Sequence, residues 1–222
     1  MLKISEIFIS VQGEGPLLGR PAVFLRLAGC NLACAWCDTT YARTPRFVWD
    51  SDKTAIVLSR LLKRFSKLLV ITGGEPLLQA NELRKMLLKL KELVQDIEVQ
   101  IETNATLSIR PIEDLVDIIV ASPKLSNSGV PEKLREIHSD FIELSKKTRP
   151  ILYLKFVIES EKDIEEIQRI VTRLSVPPER VYLMPQCRNI DEQLRKLPMV
   201  TKLAIKFGYC VSPRLHILAR VK

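Results

Sequence analysis

The most reactive side chains of this 222-residue chain fall in residues 28–40, AGCNLACAWCDTT, where Cys30, Cys34 and Cys37 follow a C-x3-C-x2-C spacing and Trp36 directly precedes the last thiol. Three thiols this close on a loop can converge on one soft metal centre without straining the backbone. Thiolates are the ligands of zinc and of iron–sulfur clusters. Structural zinc asks for a fourth ligand, usually from a second CxxC or Cys/His pair, and the sequence has no such pair. A cubane cluster held by three cysteines leaves one iron open to a substrate or cosubstrate, so the spacing favours a cluster over zinc. Cys187 and Cys210 lie far from the motif and read as small core or pocket residues.

The elements that must position this loop alternate between two periodicities. Residues 3–11 alternate as a β-branched strand and end in Gln12-Gly13-Glu14-Gly15-Pro16; residues 22–27 form a second strand with Arg26 inside it, and the cysteine loop follows at once. A helix is expected over 52–65, capped by Ser51 or Asp52. Short apolar strands follow at 68–71, 97–101, 118–120, 151–158 (containing Lys155) and 181–184, of the kind buried on both faces. Between them lie helical patterns at 81–94, from Pro131 to about 144, at 161–174 and at 191–197. Residues 200–207 fit helix or strand, and the tail 214–221 is weakly strand-like.

Strands alternating with helices predict parallel β/α units. The polar motifs sit where those strands end: the cysteine loop, Thr72–Pro76 (TGGEP), Glu102-Thr103-Asn104, Ser122-Pro123-Lys124 and Met184-Pro185-Gln186-Cys187. In β/α barrels that edge is the functional one, and about six parallel strands are too few for eight. The expectation is an α/β fold, an incomplete, open β/α barrel, as one domain over 1–222. The chain holds no run of eighteen apolar residues, and Ser5, Glu6 and Gln12 interrupt any signal-peptide core. No membrane association is expected, and a reducing cytoplasm suits the thiols. The net charge of +8 is spread along helices such as 83–92, which reads as a solvated basic surface rather than a nucleic-acid face.

Three motifs together carry a family resemblance. CNLACAWCDTT resembles the cluster loop of radical S-adenosyl-L-methionine (SAM) enzymes, and TGGEP resembles their second motif. The QGEGP turn, with Arg26 four residues before Cys30, narrows the resemblance to the 7-carboxy-7-deazaguanine synthase family, over nearly the whole chain. That resemblance implies a lyase with a 4Fe-4S cluster, SAM and Mg²⁺, which converts 6-carboxy-5,6,7,8-tetrahydropterin to 7-carboxy-7-deazaguanine with loss of ammonia. It implies a homodimer, and a reducing electron donor such as flavodoxin or ferredoxin.

Carried over residue by residue, Cys30, Cys34 and Cys37 match the cluster ligands and Thr39 a Mg²⁺ ligand, although a loop-capping hydroxyl is its plainer reading. Gly74 matches a SAM contact, and Glu75 a residue that engages the methionine amino group. Ser122, Pro123 and Lys124, and Met184, Pro185, Gln186 and Cys187, match later SAM-binding loops. Val11, Gln12, Gly13, Glu14 and Thr72 match the substrate site. Arg26 suits a carboxylate, against an edge-strand arginine paired with a surface acid. His216 and the main-chain carboxylate of Lys222 match a substrate-reaching tail, against a frayed end. Glu102 and Asn104 fit a ribose contact or a strand-end cap. His138 reads as a packing residue.

Two other functions remain open at this level. A glycyl-radical activating enzyme shows a similar cysteine loop but acts on a protein. A zinc-stabilised RNA-binding module would use the +8 charge, yet it has no need of TGGEP.

Overall fold

Apolar side chains alternate along each central strand, and that alternation builds two layers. The computed structural model describes residues 1–221; Lys222 lies outside the described residues. In chain order the elements are β1 (Leu2–Val11), β2 (Pro21–Leu27), β3 (Phe47–Trp49), α1 (Ser51–Phe65), β4 (Leu68–Gly73), α2 (Ala80–Leu93), β5 (Glu98–Thr103) and β6 (Ile118–Ala121). There follow α3 (Asp140–Leu144), β7 (Ile151–Ile158), α4 (Asp163–Leu174), β8 (Val181–Pro185), α5 (Ile190–Phe207), β9 (Cys210–Val211) and α6 (Leu215–Leu218).

The strands form one nine-stranded sheet in the order β3-β1-β2-β4-β5-β6-β7-β8-β9. Every pairing from β2 through β9 is parallel, whereas β1 runs antiparallel to β2, and β3 to β1. This is an incomplete β/α barrel. Its parallel body has six full strands, as expected, plus the two-residue β9. The sequence reading contains neither β3 nor β9, because pieces of three and two residues carry no measurable period.

Leu69 and Ile71 of β4, Val99 and Ile101 of β5, and Leu154, Phe156 and Ile158 of β7 join the main core under the helices. Their neighbours in sequence face the concave side. At its base, Ala22, Phe24, Leu68 and Val70 pack with Phe8 and Leu17. Above them stand Arg26, Thr72, Glu102 and Lys155. In α2, Leu83, Met86, Leu87 and Leu90 are fully buried, each burial worth about 1.5–3 kcal/mol.

Three further expectations are corrected, and one left open between helix and strand is resolved. The N-cap of α1 is Asp50, whose carboxylate accepts from Lys53 N at 2.6 Å; Ser51 is already helical and turns its hydroxyl to Glu82 O. The helix expected from Pro131 survives only as a short 3-10 turn and α3, because His138 N donates to Ala105 O at 2.9 Å and draws the segment across the loop after β5. Residues 190–207 are one helix despite Pro198 inside it. Val200, Leu203 and Ala204 continue its buried face, and that packing outweighs the interior-proline penalty of about 3 kcal/mol. The tail is a short helix, α6, with Leu215 N donating to Gly13 O.

Replacing Asp50 by Ala removes the cap and is expected to lower stability by about 1 kcal/mol in urea denaturation. Asp52→Ala, at the position the sequence also offered as cap, should stay within about 0.5 kcal/mol of wild type.

Candidate active site

The cysteine loop leaves β2 at the edge where all the parallel strands end. Glu75 N donates to Gly29 O at 2.8 Å, Gly29 N to Ala42 O at 2.9 Å and Ala35 N to Ser128 O at 2.9 Å. The Trp36 indole donates to Asn127 O at 3.1 Å, and Asn104 Nδ2 donates to Asn31 Oδ1 at 3.0 Å. The loops after β4, β5 and β6 therefore each grip it. Gly74 permits the closest approach, since a Cβ there would lie 2.3 Å from Gly29 O and 2.7 Å from Cys30 Cβ.

Cys30, Cys34 and Cys37 are unpaired, half-buried thiols, and all three line one cavity of about 840 Å³. Burial pushes the Cys30 and Cys34 thiols up, and the nearby Lys124 ammonium opposes it. Among the described residues no three His, Cys, Asp or Glu side chains gather tightly enough to hold a single metal ion. The thiols instead face a shared space, and that suits a polynuclear cluster in which each sulfur takes a different iron.

In the loop after β4, Thr72, Gly73 and Gly74 line the cavity. Glu75 does not. It is fully buried, with Oε1 accepting from Leu77 N at 2.9 Å and Thr103 Oγ1 at 2.8 Å, and Oε2 from Asn104 N at 2.7 Å. Both oxygens brace the strand-end loops against each other rather than facing the cavity. Burial raises its pKa, and the three donors oppose that shift.

The same cavity is lined by an ionic ring. Lys155, 4% exposed, reaches from β7 to Glu14 Oε2 at 2.6 Å and Glu102 Oε2 at 3.5 Å. Glu14 Oε1 also accepts from Arg214 Nε at 2.9 Å, with His216 Nε2 at 4.0 Å. Gln12 Nε2 donates to Glu102 Oε1 at 3.0 Å. Burial would raise the pKa of Glu14, but the charges of Lys155 and Arg214 outweigh it and hold the carboxyl well below its usual range. Burial would likewise lower Lys155, and Glu102 and Glu14 reverse the sign. His216 is pushed down, chiefly by burial, and so is neutral near pH 7.

Arg26 faces the same cavity. Its Nε donates to Glu6 Oε1 at 2.7 Å, and Glu6 is buried, not the surface acid of the plainer reading. Its guanidinium lies 5.5 Å from the Phe8 ring, which stacks on Phe24 at 4.7 Å.

Val11, Gln12, Gly13, Thr39, Ser122, Lys124 and residues 184–187 also line the cavity, as do Glu102, Asn104 and His216. Pro123 does not, and Lys222 lies outside the described residues. Lys124 Nζ is tied to Ser122 O at 2.7 Å. Sequence reasoning passed over Lys155, Arg214, Asp38, Glu6 and Tyr41. Lys155 had a signal: a lysine within ILYLKFVI is almost never buried without partners.

The sign of the Glu14 shift fixes a pH dependence. Its folded pKa lies below the ordinary 4.5, so the stabilisation from its pairing is complete above that value and is lost as pH falls through and below it. The stability advantage of wild type over Glu14→Gln, read from urea midpoints of the apoprotein, should be full at pH 7 and shrink steadily below 4.5.

Residues 25–174 match the family model of the radical SAM superfamily. The 7-carboxy-7-deazaguanine synthase of Pyrobaculum aerophilum is 36% identical over 220 residues, covering 98% of this chain and 94% of that protein. The one from Rickettsia prowazekii is 42% identical over 227 residues, covering 97% and 86%. The crystal structure of QueE from Escherichia coli matches with a TM-score of 0.74 at 25% identity, over 97% of this chain and 94% of that one. Streptococcus suis SuiB bound to S-adenosylmethionine shares the fold, with a TM-score of 0.57 at 16% identity, over 86% and 51%.

Proposed function

The chain belongs to the radical SAM superfamily and, within it, to the 7-carboxy-7-deazaguanine synthases, and from that premise we infer how its cavity is used. The reaction is conversion of 6-carboxy-5,6,7,8-tetrahydropterin to 7-carboxy-7-deazaguanine with loss of ammonia. One observation supports the assignment of residues above the others: the three thiols and the buried Lys155, Glu14 and Glu102 line the same cavity.

Cys30, Cys34 and Cys37 would hold the 4Fe-4S cluster. Gly74, with the loops Ser122-Pro123-Lys124 and 184–187, would hold SAM, largely through backbone groups. When bound, cluster and SAM would supply the one-electron radical chemistry that the ring contraction requires. The protein's own part is orientation and exclusion of water. Gln12 and Glu14 present an amide and a carboxylate to the pterin's amide and amino edge. Arg26, fixed by Glu6, offers guanidinium charge to the pterin carboxylate. Thr39 would offer its hydroxyl to Mg²⁺, an oxygen-seeking cation that would supply positive charge near that carboxylate. Neutral His216 closes the site from the tail, and Lys155 holds the Glu14 and Glu102 carboxylates in place. The stacked Phe8 and Phe24 give the pocket an apolar floor.

Residues 1–222 act as one domain in this reading. The reaction needs one electron from outside, for which flavodoxin or ferredoxin is the natural donor, and the family resemblance carries the homodimer. Among the described residues no helix is long and apolar enough to cross a membrane, and the reducing cytoplasm suits a thiolate-held cluster.

The test is anaerobic turnover after iron and sulfide reconstitution, with SAM, a low-potential reductant, Mg²⁺ and 6-carboxytetrahydropterin. A brown protein that forms the deazapurine supports the reading. SAM cleavage with the pterin untouched would favour an activating enzyme with a protein substrate, and a colourless, zinc-loaded protein would favour the RNA-binding module. Cys34→Ala should lose both cluster assembly and SAM cleavage; cleavage retained in that variant would remove Cys34 from the ligand set.

A further inference from the structure

The tail reaches the site through one side chain that no motif announced. Arg214 is 12% exposed, and its three guanidinium nitrogens each go to a different loop. Nε donates to Glu14 Oε1 at 2.9 Å in the turn after β1. Nη1 donates to Cys187 O at 2.7 Å in the loop after β8. Nη2 donates to Asp38 Oδ2 in the cysteine loop, between Cys37 and Thr39. Its own N–H donates to Gln193 Oε1 at 2.8 Å. The flanking backbone is seated as firmly: Leu215 N donates to Gly13 O at 2.9 Å and Gly15 N to Ser212 Oγ at 2.8 Å. Contact is so close that a Cβ on Gly13 would lie 2.1 Å from His216 Nδ1.

We propose that Arg214 is a positioning residue that locks the pterin-facing turn, the cysteine loop and the loop after β8 into one geometry, so that radical formation and substrate seating stay coupled. The proposal rests on the residue roles given under the proposed function. Its physical basis is the guanidinium itself, a rigid planar fork with donors in three directions. A lysine at 214 keeps the charge but cannot serve three acceptors held at fixed angles. Loss of one arm frees a loop that carries reacting groups without removing any ligand to the cluster. The ion pair to Glu14 is buried, so its loss leaves that carboxylate with one cation fewer at the point where it meets the substrate.

The test compares wild type, Arg214→Lys and Asp38→Asn as reconstituted enzymes, counting 5′-deoxyadenosine formed per deazapurine. Arg214→Lys should raise that ratio and the KM for the pterin by about tenfold or more, with iron content unchanged. Asp38→Asn, which loosens only the partly exposed arm, should shift both in the same direction by less. Hydrogen exchange on the apoproteins gives the second readout. The amides of Gly15 and Leu215 should exchange faster in Arg214→Lys, while those of β4 to β6 stay as in wild type. A ratio and KM within twofold of wild type, or iron lost in proportion to activity, would overturn the proposal. Should wild type itself form no deazapurine, the proposed function fails, and unchanged exchange at Gly15 and Leu215 would separately refute the clamp.

Discussion

In a parallel sheet every strand delivers its chain to the same edge, so the loops there must satisfy one another's backbone groups without help from hairpins. Here the buried carboxylate of Glu75 meets much of that demand. It accepts from Leu77 N in its own loop and from Asn104 N and Thr103 Oγ1 in the next, and its N–H fixes Gly29 directly before the first cysteine. An unpaired carboxylate in that position would be strongly destabilising. With three donors it becomes the joint between β2, β4 and β5. The cysteine loop is irregular in itself, and its shape is imposed by this bracing and by Gly74, where any side chain would collide with it.

The same edge carries charge of both signs in an arrangement that fixes protonation. Lys155 sits between two carboxylates, and Lys155 and Glu14 hold each other ionised despite burial. Attraction in a poorly solvated site is strong, but each ion also loses water, so only a closed set of partners keeps the cost acceptable. A closed set is present: Glu14 has Lys155 and Arg214, and Glu102 has Lys155 and Gln12. The result is a set of fixed hydrogen-bonding groups that line the same cavity as the thiols and the stacked Phe8 and Phe24.

What could be read from residue types alone follows from where the signal is local. The strand-end motifs were legible because a parallel β/α alternation forces loops after strands to one edge, whatever the helices do. Thus Thr72, Gly74, Ser122 and Met184 could be brought to one place with no knowledge of packing. Glu75 was readable as a motif member, but its direction depended on donors in the next loop, and sequence spacing does not show which way a side chain turns. Arg214 and Asp38 were invisible for a similar reason, lying 176 residues apart in the chain. Residues 200–207 stayed open between helix and strand because the buried face running through Val200 and Leu203, which continues the helix past Pro198, is a tertiary fact. The tail was misread as strand for want of any periodicity in so short a piece.

A complete barrel closes by pairing its first strand with its last. This sheet ends at β3 on one side and β9 on the other, and the ladder never closes. Side chains span part of that gap. Glu14, just past β1, is bonded to Lys155 on β7 and to Arg214 beyond β9, a residue 200 positions away. Ion pairs and a few backbone bonds from the tail therefore do across the opening what a strand ladder does elsewhere. A ladder fixes the width of an opening through its register; here the Arg214 fork, with donors at fixed angles, and the Lys155–Glu14 pair hold it instead. The incomplete sheet and the buried ionic ring are for that reason one design: the groups that tie the unclosed edge together also line the cavity.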